Sequence, residues 1–173
     1  MANTESKSSS VNHLRWLWLT ALLIVLDQLT KYWAEHILRG DVIEIFSWFD
    51  LSLVHNTGAA FGFLNDAGGW QHVFFVSLAV VVSGVLVYMM KLLQTHERHL
   101  ALAYALIIAG ALGNAIDRVI YQYVVDFIHW FYQDWHYPHF NIADSVIFIG
   151  AALLISEAFG KPFLNTKLAH DED

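Results

Sequence analysis

Hydrophobic residues gather into four blocks along the chain. Two of these blocks, at 73–90 and 100–116, contain no charged residue, whereas the first and fourth are interrupted by polar side chains. About 20 mostly apolar residues in a helix cross the roughly 30 Å of hydrocarbon in a membrane. The pattern therefore predicts a mainly α, polytopic membrane protein, a bundle of four transmembrane helices. The predicted spans are about 16–34, 72–91, 99–118 and 142–160.

An even number of spans places both termini on the same side of the membrane. Six Lys and Arg residues fall on the side of the termini and the short 91–99 loop, and three fall on the other side. The positive-inside rule then predicts cytoplasmic termini. The chain is interpreted as a single membrane domain over 1–173, with a flexible cytoplasmic tail at 1–15 and outer segments at 35–71 and 119–141.

The two outer segments differ from ordinary loops. A β-like stretch at 50–54 is followed by turn-forming residues at 56–58, which predicts a small sheet at the membrane surface. The 119–141 segment is rich in Tyr and Trp, whose rings favour the headgroup layer. It is predicted to be an interfacial loop or helix.

The composition agrees with a membrane protein and argues against several functions. Hydrophobic residues make up 57% of the chain and charged residues only 14%, which is more apolar than a typical soluble domain. The chain has no cysteine, so it has neither disulfides nor a thiol nucleophile. A net charge of −7 without a basic cluster argues against nucleic acid as a partner.

Polar residues collect at the outer ends of the predicted spans. Ionisable groups within spans are costly, usually face the bundle interior and often mark function. On the third span the polar residues recur at helical spacing, so they share one face, while small residues form a second stripe suited to close packing. A single shared site is therefore predicted. The polar set is Asp27, Lys31, Asn114, Asp117, Arg118, Asn141 and Asp144, with Asn56 and Asp126 on the outer connections; the small stripe is Ala101, Ala105, Ala109 and Gly113.

Several of these polar residues also have a purely structural interpretation. Acid and base one helical turn apart form ion pairs, and an Asn with an acid three residues later forms a helix cap. These interpretations concern Asp27 with Lys31, Asp117 with Arg118, and Asn141 with Asp144.

Three histidines in the second outer segment raise the question of a metal site. His129, His136 and His139 fit no standard helical set of metal ligands. Solvated or interfacial histidines are the favoured interpretation, and no metal site or cofactor is predicted.

Carboxylates in an apolar setting suggest the chemistry. Asp126 lies in the apolar run 124–128, where an unpaired carboxylate would be expensive. Two carboxylates sharing a low-dielectric pocket hold one proton between them. One acts as general base on water and the other donates a proton to the carbonyl oxygen of an amide. The sequence has neither a G-x-S-x-G nor an H-E-x-x-H motif.

Five motifs in order carry a family resemblance. The chain resembles the lipoprotein signal peptidases (signal peptidase II) from about residue 16 to residue 160. Any one motif is weak, but five in order at matching topological positions are very specific. They are DQLTK at 27–31, NTGAAF at 56–61, GALGNAIDR at 110–118, VDF at 125–127 and FNIAD at 140–144.

The resemblance implies which residues form the site. Asp126 and Asp144 would be the catalytic aspartates of an intramembrane aspartic endopeptidase. Other residues would bind substrate or support the dyad geometry, and no metal would take part. The supporting residues are Asp27, Lys31, Asn56, Gly58, Asn114, Asp117, Arg118 and Asn141.

The resemblance also implies a substrate and a location. The substrate would be a prolipoprotein whose cysteine carries a diacylglyceryl group, cut just before that cysteine to release the signal peptide. The enzyme would be a monomer surrounded by lipids of the bacterial inner membrane, with its site near the periplasmic face, and a target of the cyclic peptide globomycin.

Two other functions are compatible with intramembrane acids. A proton-coupled small carrier is the main alternative, although carriers usually contain repeated halves and broken helices, neither of which this sequence displays. A non-catalytic assembly subunit with structurally paired acids is the other. Cleavage of a lipid-modified prolipoprotein separates both from a peptidase.

Overall fold

The computed structural model describes residues 12–58 and 68–160. Most of the predicted tail at 1–15, the end of the NTGAAF motif and the acidic C-terminus lie outside the described residues. Within the described ranges the chain forms a short 3-10 helix, four α-helices and four strands. In chain order these are the 3-10 helix His13–Trp16, α1 Leu17–Ile37, β1 Val42–Phe46, β2 Phe49–Asn56, α2 Trp70–Leu92, α3 Arg98–Tyr121, β3 Val124–Tyr132, β4 Trp135–His136 and α4 Ile142–Ala158.

Helix α3 lies at the centre of the helical part and contacts the other three helices. Its small-residue stripe is buried, with Ala101 and Ala105 fully enclosed. A Cβ atom at Gly110 would collide with the backbone carbonyl of Ala143 on α4, so glycine lets these two helices approach closely. The predicted close-packing role of the stripe is confirmed by the burial of all four of its residues, and Gly110 makes a further close contact outside that stripe.

Among the described residues, two helices, α2 and α3, are long and apolar enough to cross a membrane. Helix α4 has 17 residues, at the lower end of the range for a span, about 17–25. Apolar side chains on α1 and α4 are exposed, including Leu29 and Phe148, as lipid contact would require. The mainly helical fold with a small sheet is confirmed, while the bundle of four spans stays a prediction.

The strands form one antiparallel sheet in the order β1-β2-β3-β4. The strand predicted at 50–54 is confirmed as part of β2. The prediction of an interfacial loop or helix at 119–141 was wrong for 124–132, which forms β3. Val, Ile and aromatic side chains favour a pleated, half-buried surface, and β3 packs Val125 and Phe127 against Ala34 and Leu38 at the end of α1.

Candidate active site

Asp126 lies on β3 with its side chain almost completely buried, at 1% exposure. Strand pairing sets it opposite Val54 of β2. Both carboxylate oxygens accept hydrogen bonds from side-chain amides: Asn56 Nδ2 donates to Oδ2 at 2.9 Å, and Asn141 Nδ2 donates to Oδ1 at 2.7 Å. The carboxyl group therefore has two neutral donors close by.

The environment of Asp126 favours its protonated form. Burial and, to a smaller extent, the nearby charge of Asp144 raise the pKa of this carboxyl from the ordinary 3.8 to about 7. The amides of Asn56 and Asn141, and the charge of Lys31, oppose this rise in pKa without cancelling it. The charge of Asp144 therefore disfavours the ionisation of Asp126, as expected for two acids that share a site.

Asp144 occupies the first turn of α4, three residues after the N-cap Asn141. Its Oδ1 accepts a hydrogen bond from Asn114 Nδ2 at 2.7 Å, and its Oδ2 accepts one from the backbone N–H of Asn141 at 3.2 Å. An acid in this position is also favoured by the positive end of the helix dipole. The cap thus fixes the position of Asp144 at the start of the helix.

Asn141 connects the two acids and is itself fully buried. Its Oδ1 accepts the backbone N–H of Asp144 at 2.9 Å, which completes a capping box. Its Nδ2 donates to Asp126 and also lies 3.1 Å from Asn114 Oδ1. The capping interpretation of Asn141 is confirmed, and the same side chain additionally holds Asp126.

Lys31 is a buried cation with three acceptors. Its Nζ lies 2.8 Å from Asp27 Oδ2, 2.9 Å from Asp117 Oδ2 and 2.9 Å from Asn114 Oδ1. These contacts match the three N–H donors of a lysine. The predicted Asp27–Lys31 ion pair is confirmed. The predicted pairing of Asp117 with Arg118 was wrong, because Asp117 points to the lysine of α1.

The two acids on Lys31 also hold backbone groups near the site. Asp27 Oδ1 accepts the backbone N–H of Ala143 at 2.9 Å, in the first turn of α4. Asp117 Oδ2 accepts the backbone N–H of Val125 at 3.2 Å, next to Asp126. These contacts join α1, α3, β3 and α4 through residues adjacent in sequence to the two aspartates.

Gln28 was missed by the sequence analysis although it belongs to the same network. Its Nε2 donates to Asp117 Oδ1 at 2.8 Å and to the carbonyl of Gly113 at 3.2 Å. Its position beside Asp27 in the first motif was the only available signal. Gln28 satisfies the carboxylate oxygen of Asp117 that Lys31 does not reach.

Arg118 follows Asn114 by four residues on α3, and its Nη1 donates to the backbone carbonyl of Asn114 at 3.4 Å. Its Nη2 donates to the carbonyl of Gly58 at 2.8 Å, and its guanidinium stacks 4.7 Å from the ring centre of Phe75 on α2. The N–H of Gly58 in turn donates to Asn56 Oδ1 at 3.0 Å. The contacts reach all ten residues predicted for the site, which thus form one connected hydrogen-bonding network; their roles in function stay a prediction.

A cavity of about 410 Å³ opens beside this network. Asp144 and Asn56 line it directly, and Asn56 donates a hydrogen bond to Asp126, which does not line the cavity. The wall mixes polar groups (amides, a guanidinium, a carboxyl and an imidazole) with apolar and aromatic groups. The lining residues are Asn56, Asn114, Arg118, Val124, Tyr137, Pro138, His139, Phe140, Asp144, Ile147, Phe148 and Ala151.

A second cavity of about 310 Å³ adjoins the first and is mainly apolar. The two cavities share Tyr137, Phe140, Asp144 and Phe148. Trp130 closes part of the second cavity and packs edge-on against Phe140, with ring centres 5.1 Å apart. Together the cavities offer a polar region at the acids and an apolar region beside it.

A further group of side chains could hold a metal ion. Asp50, His129 and His139 each place one ligand atom within 4.8 Å of the others. Helical spacing could not predict this group, because strand pairing and a chain reversal bring its members together.

Comparison with known proteins places the chain in a family. Residues 19–160 match the family model described as signal peptidase (SPase) II. A lipoprotein signal peptidase from Psychromonas ingrahamii is 50% identical over 147 residues, covering 84% of this chain and 85% of that protein. One from Pseudomonas syringae pv. tomato is 45% identical over 163 residues, covering 92% and 94%.

Solved structures agree with this assignment. A bacterial membrane enzyme whose structure was obtained by the in meso method at 2.3 Å resolution superposes with a TM-score of 0.74. It is 32% identical, and the match covers 92% of this chain and 93% of the other. The chain is therefore a bacterial membrane protein that belongs to the signal peptidase II family, the lipoprotein signal peptidases.

Proposed function

We propose that this protein is an intramembrane aspartic endopeptidase that removes the signal peptide from diacylglyceryl-modified prolipoproteins, cutting just before the lipidated cysteine. The observation that carries the proposal is the pair Asp126 and Asp144, both hydrogen-bonded to Asn141, with Asp144 lining a cavity. Membership of the signal peptidase II family supplies the substrate class.

Asp144 is the general base in this mechanism. It lines the cavity, so a water molecule there can reach its carboxylate. Asn114 Nδ2 and the Asn141 backbone N–H donate to its two oxygens and stabilise the charged form. The carboxylate takes a proton from water as the water oxygen attacks the carbonyl carbon of the scissile amide.

Asp126 is the proton donor. Its raised pKa of about 7 keeps the carboxyl protonated over much of the neutral range. The substrate carbonyl replaces Asn56 at Oδ2 and receives the proton as the tetrahedral intermediate forms. As the C–N bond breaks, Asp144 gives the proton that it took from water to the leaving amine, and a hydroxyl of the intermediate returns a proton to Asp126, so the pair again holds one proton.

The cavities suit a lipidated peptide. The peptide backbone lies beside Asn56, Asn114 and Arg118, whose donors bind its carbonyl groups. The acyl chains of the diacylglyceryl group lie along the apolar second cavity near Trp130 and Phe148. Globomycin, a cyclic peptide, inhibits by occupying the same space.

The proposed orientation follows from the distribution of Lys and Arg along the chain. Asp126 lies on the sheet, and Asp144 lies at the end of α4 that adjoins the sheet. We place this end at the periplasmic face of the inner membrane, with cytoplasmic termini and a bundle of four spans. We propose that the enzyme acts as a monomer; one chain supplies both aspartates, so the proposed site needs no second subunit.

Cleavage of a defined precursor tests the proposal. The purified enzyme in detergent is incubated with a diacylglyceryl-modified prolipoprotein and with the same precursor lacking the lipid, and the products are identified by intact-mass spectrometry. The expected products are the signal peptide and a lipoprotein that begins with the modified cysteine, formed only from the lipidated precursor. Equal cleavage of both precursors, or cleavage elsewhere, contradicts the proposed specificity.

A further inference from the structure

Three stacked histidines and an aspartate occupy the sheet outside the network around Asp126 and Asp144. Strand register places Asp50 of β2 directly opposite His129 of β3. An isolated bridge between Ile128 and Phe140 brings the chain before α4 back beside β3, so that His139 stacks on His129 with ring centres 4.2 Å apart. Asp50 and His129 are buried, each at 8% exposure.

The ligand atoms of this group are close enough to share one ion. His129 Nδ1 lies 3.2 Å from each carboxylate oxygen of Asp50. The ligand atoms of Asp50, His129 and His139 all lie within 4.8 Å of one another. Two ligands on one tetrahedral zinc ion stand about 3.3 Å apart, since each is about 2.0–2.1 Å from the metal. The widest separation must shrink by up to about 1.5 Å before one ion can bind all three ligands.

We propose that Asp50, His129 and His139 bind one divalent transition-metal ion of the Zn²⁺ type, at a site separate from the aspartate pair. Two imidazole nitrogens and one carboxylate oxygen are a donor set that suits Zn²⁺. Three protein ligands leave a fourth position for water. The ion neutralises the buried carboxylate of Asp50, for which the described structure provides a hydroxyl, Ser52 Oγ at 2.8 Å, and an imidazole.

A metal-bound histidine usually donates a hydrogen bond from its second ring nitrogen, and His136 provides the acceptor for His129. Its Nδ1 lies 3.0 Å from His129 Nε2. When His129 Nε2–H donates to His136, the His129 Nδ1 lone pair faces Asp50 and is available to the ion. Without the ion, the proton sits on Nδ1 and donates to Asp50 instead. The same contacts therefore serve both the free and the bound form.

His139 is the ligand that must move. Parallel stacked rings direct their in-plane lone pairs along parallel lines, so one ring has to tilt to share an ion with the other. His139 is only partly buried, lies outside the named strands and has Ser52 Oγ 2.8 Å from its Nε2. Its ring can leave this hydroxyl and turn toward Asp50 without disturbing β3.

The ion joins three parts of the chain that border the candidate active site. Asp50 belongs to β2, His129 to β3 and His139 to the connection that leads into Asn141 and α4. His139 also lines the 410 Å³ cavity. An ion bound here holds that connection on the sheet and stabilises the folded state by mass action. This role does not depend on the peptidase activity.

Zinc titration of the full chain tests the site. The tag-free protein in detergent is stripped with a chelator and titrated with ZnCl₂ by calorimetry. We expect one zinc per chain, with a rise in Tm. Asp50→Asn and His139→Gln should each weaken binding more than tenfold, and His136→Gln by about tenfold or more as an outer-shell change. The control His36→Gln alters an exposed histidine of α1 and should leave binding unchanged.

X-ray absorption at the zinc edge provides a test that needs no variant. The zinc-loaded protein should show two imidazole ligands and oxygen ligands at about 2.0–2.1 Å. Zinc binding by Asp50→Asn and His139→Gln that equals that of the original protein overturns the proposal. So does a zinc-edge spectrum without imidazole, or the absence of stoichiometric binding in the unaltered protein. Circular dichroism and gel filtration establish that the variants remain folded.

Discussion

Asn141 Nδ2 donates to Asp126 Oδ1 at 2.7 Å, while the backbone N–H of Asn141 donates to the other proposed catalytic acid, Asp144. One buried residue therefore contacts both carboxylates. Because the same side chain caps α4, the geometry of the acids is coupled to the start of a helix. Substitutions at Asn141 can separate these two roles.

We expect Asn141→Ser and Asn141→Ala to lose most cleavage activity, because neither side chain reaches Asp126 with an amide donor. Their stabilities should differ, since serine is a good N-cap and alanine is not; the alanine variant should lose about 1 kcal/mol more. Cleavage rates and thermal unfolding in detergent measure both effects. Near-normal cleavage by Asn141→Ser would show that the Asn141–Asp126 hydrogen bond is dispensable.

The rate of cleavage should fall as the pH rises through about 7. Burial and the charge of Asp144 raise the pKa of Asp126 to about 7, so alkaline solution removes the proton that the substrate carbonyl receives. Well above this pKa, the loss should approach about tenfold per pH unit. Rates measured between about pH 6 and 9 check this, and a rate that rises throughout that range contradicts the assignment of Asp126 as proton donor.

The same pKa has a consequence for stability. In the unfolded chain Asp126 ionises near its ordinary 3.8, whereas in the folded protein it keeps its proton up to about 7. The folded state binds more protons between these values, so this residue lowers the free energy of unfolding as the pH rises from about 4 to 7. Asp126→Asn should remove this part of the pH dependence, which unfolding at several pH values measures; an unchanged slope contradicts it.

Much of the fold and site could be predicted from local pattern. The hydrophobic blocks mark the four helices, and the alanine and glycine stripe marks the close face of α3. The partners of individual groups could not be predicted in this way. Asp117 is adjacent to Arg118 in sequence, yet consecutive helical residues point in different directions, and it pairs with Lys31 on another helix.

The histidines beside the sheet also have partners that local pattern could not predict. His129 and His139 are ten residues apart, a spacing that places them on no common helical face. The pairing of β2 with β3 and the bridge from Ile128 to Phe140 bring them together beside Asp50. The packing of the whole sheet sets the strand register and the position of the chain reversal. Neither can be deduced from the spacing of residues along the sequence.

Close packing of α3 on α4 should be sensitive to one methyl group. A Cβ atom at Gly110 meets the backbone carbonyl of Ala143, which cannot move aside without shifting α4 and Asp144. Gly110→Ala should therefore reduce both thermal stability and cleavage. Gly84→Ala on α2 is the matched control, because its Cβ meets nothing within 4 Å and alanine favours a helix by about 1 kcal/mol. Equal behaviour of the two variants contradicts this packing account.

Removal of the buried cation, Lys31, should lower the free energy of unfolding. Lys31→Met leaves the carboxylates of Asp27 and Asp117 buried without their partner, and breaking a buried pair typically costs about 3–5 kcal/mol. The comparison is Arg39→Gln, which removes an exposed arginine 3.8 Å from Glu35 and should have no measurable effect. Thermal unfolding of both variants in detergent measures the difference, and a Lys31→Met protein as stable as the Arg39→Gln protein contradicts the buried network.

Cleavage of the lipidated precursor by Asp126→Asn and Asp144→Asn is the most direct measurement of the proposed chemistry. Asparagine keeps the shape of each side chain but can neither accept the proton of water as a base nor donate a carboxylic proton. Both variants should remain folded and release no signal peptide, while Asp134→Asn, which changes an exposed acid in the β3–β4 turn, should cleave normally. Substantial turnover by either folded variant would contradict catalysis by the pair Asp126 and Asp144.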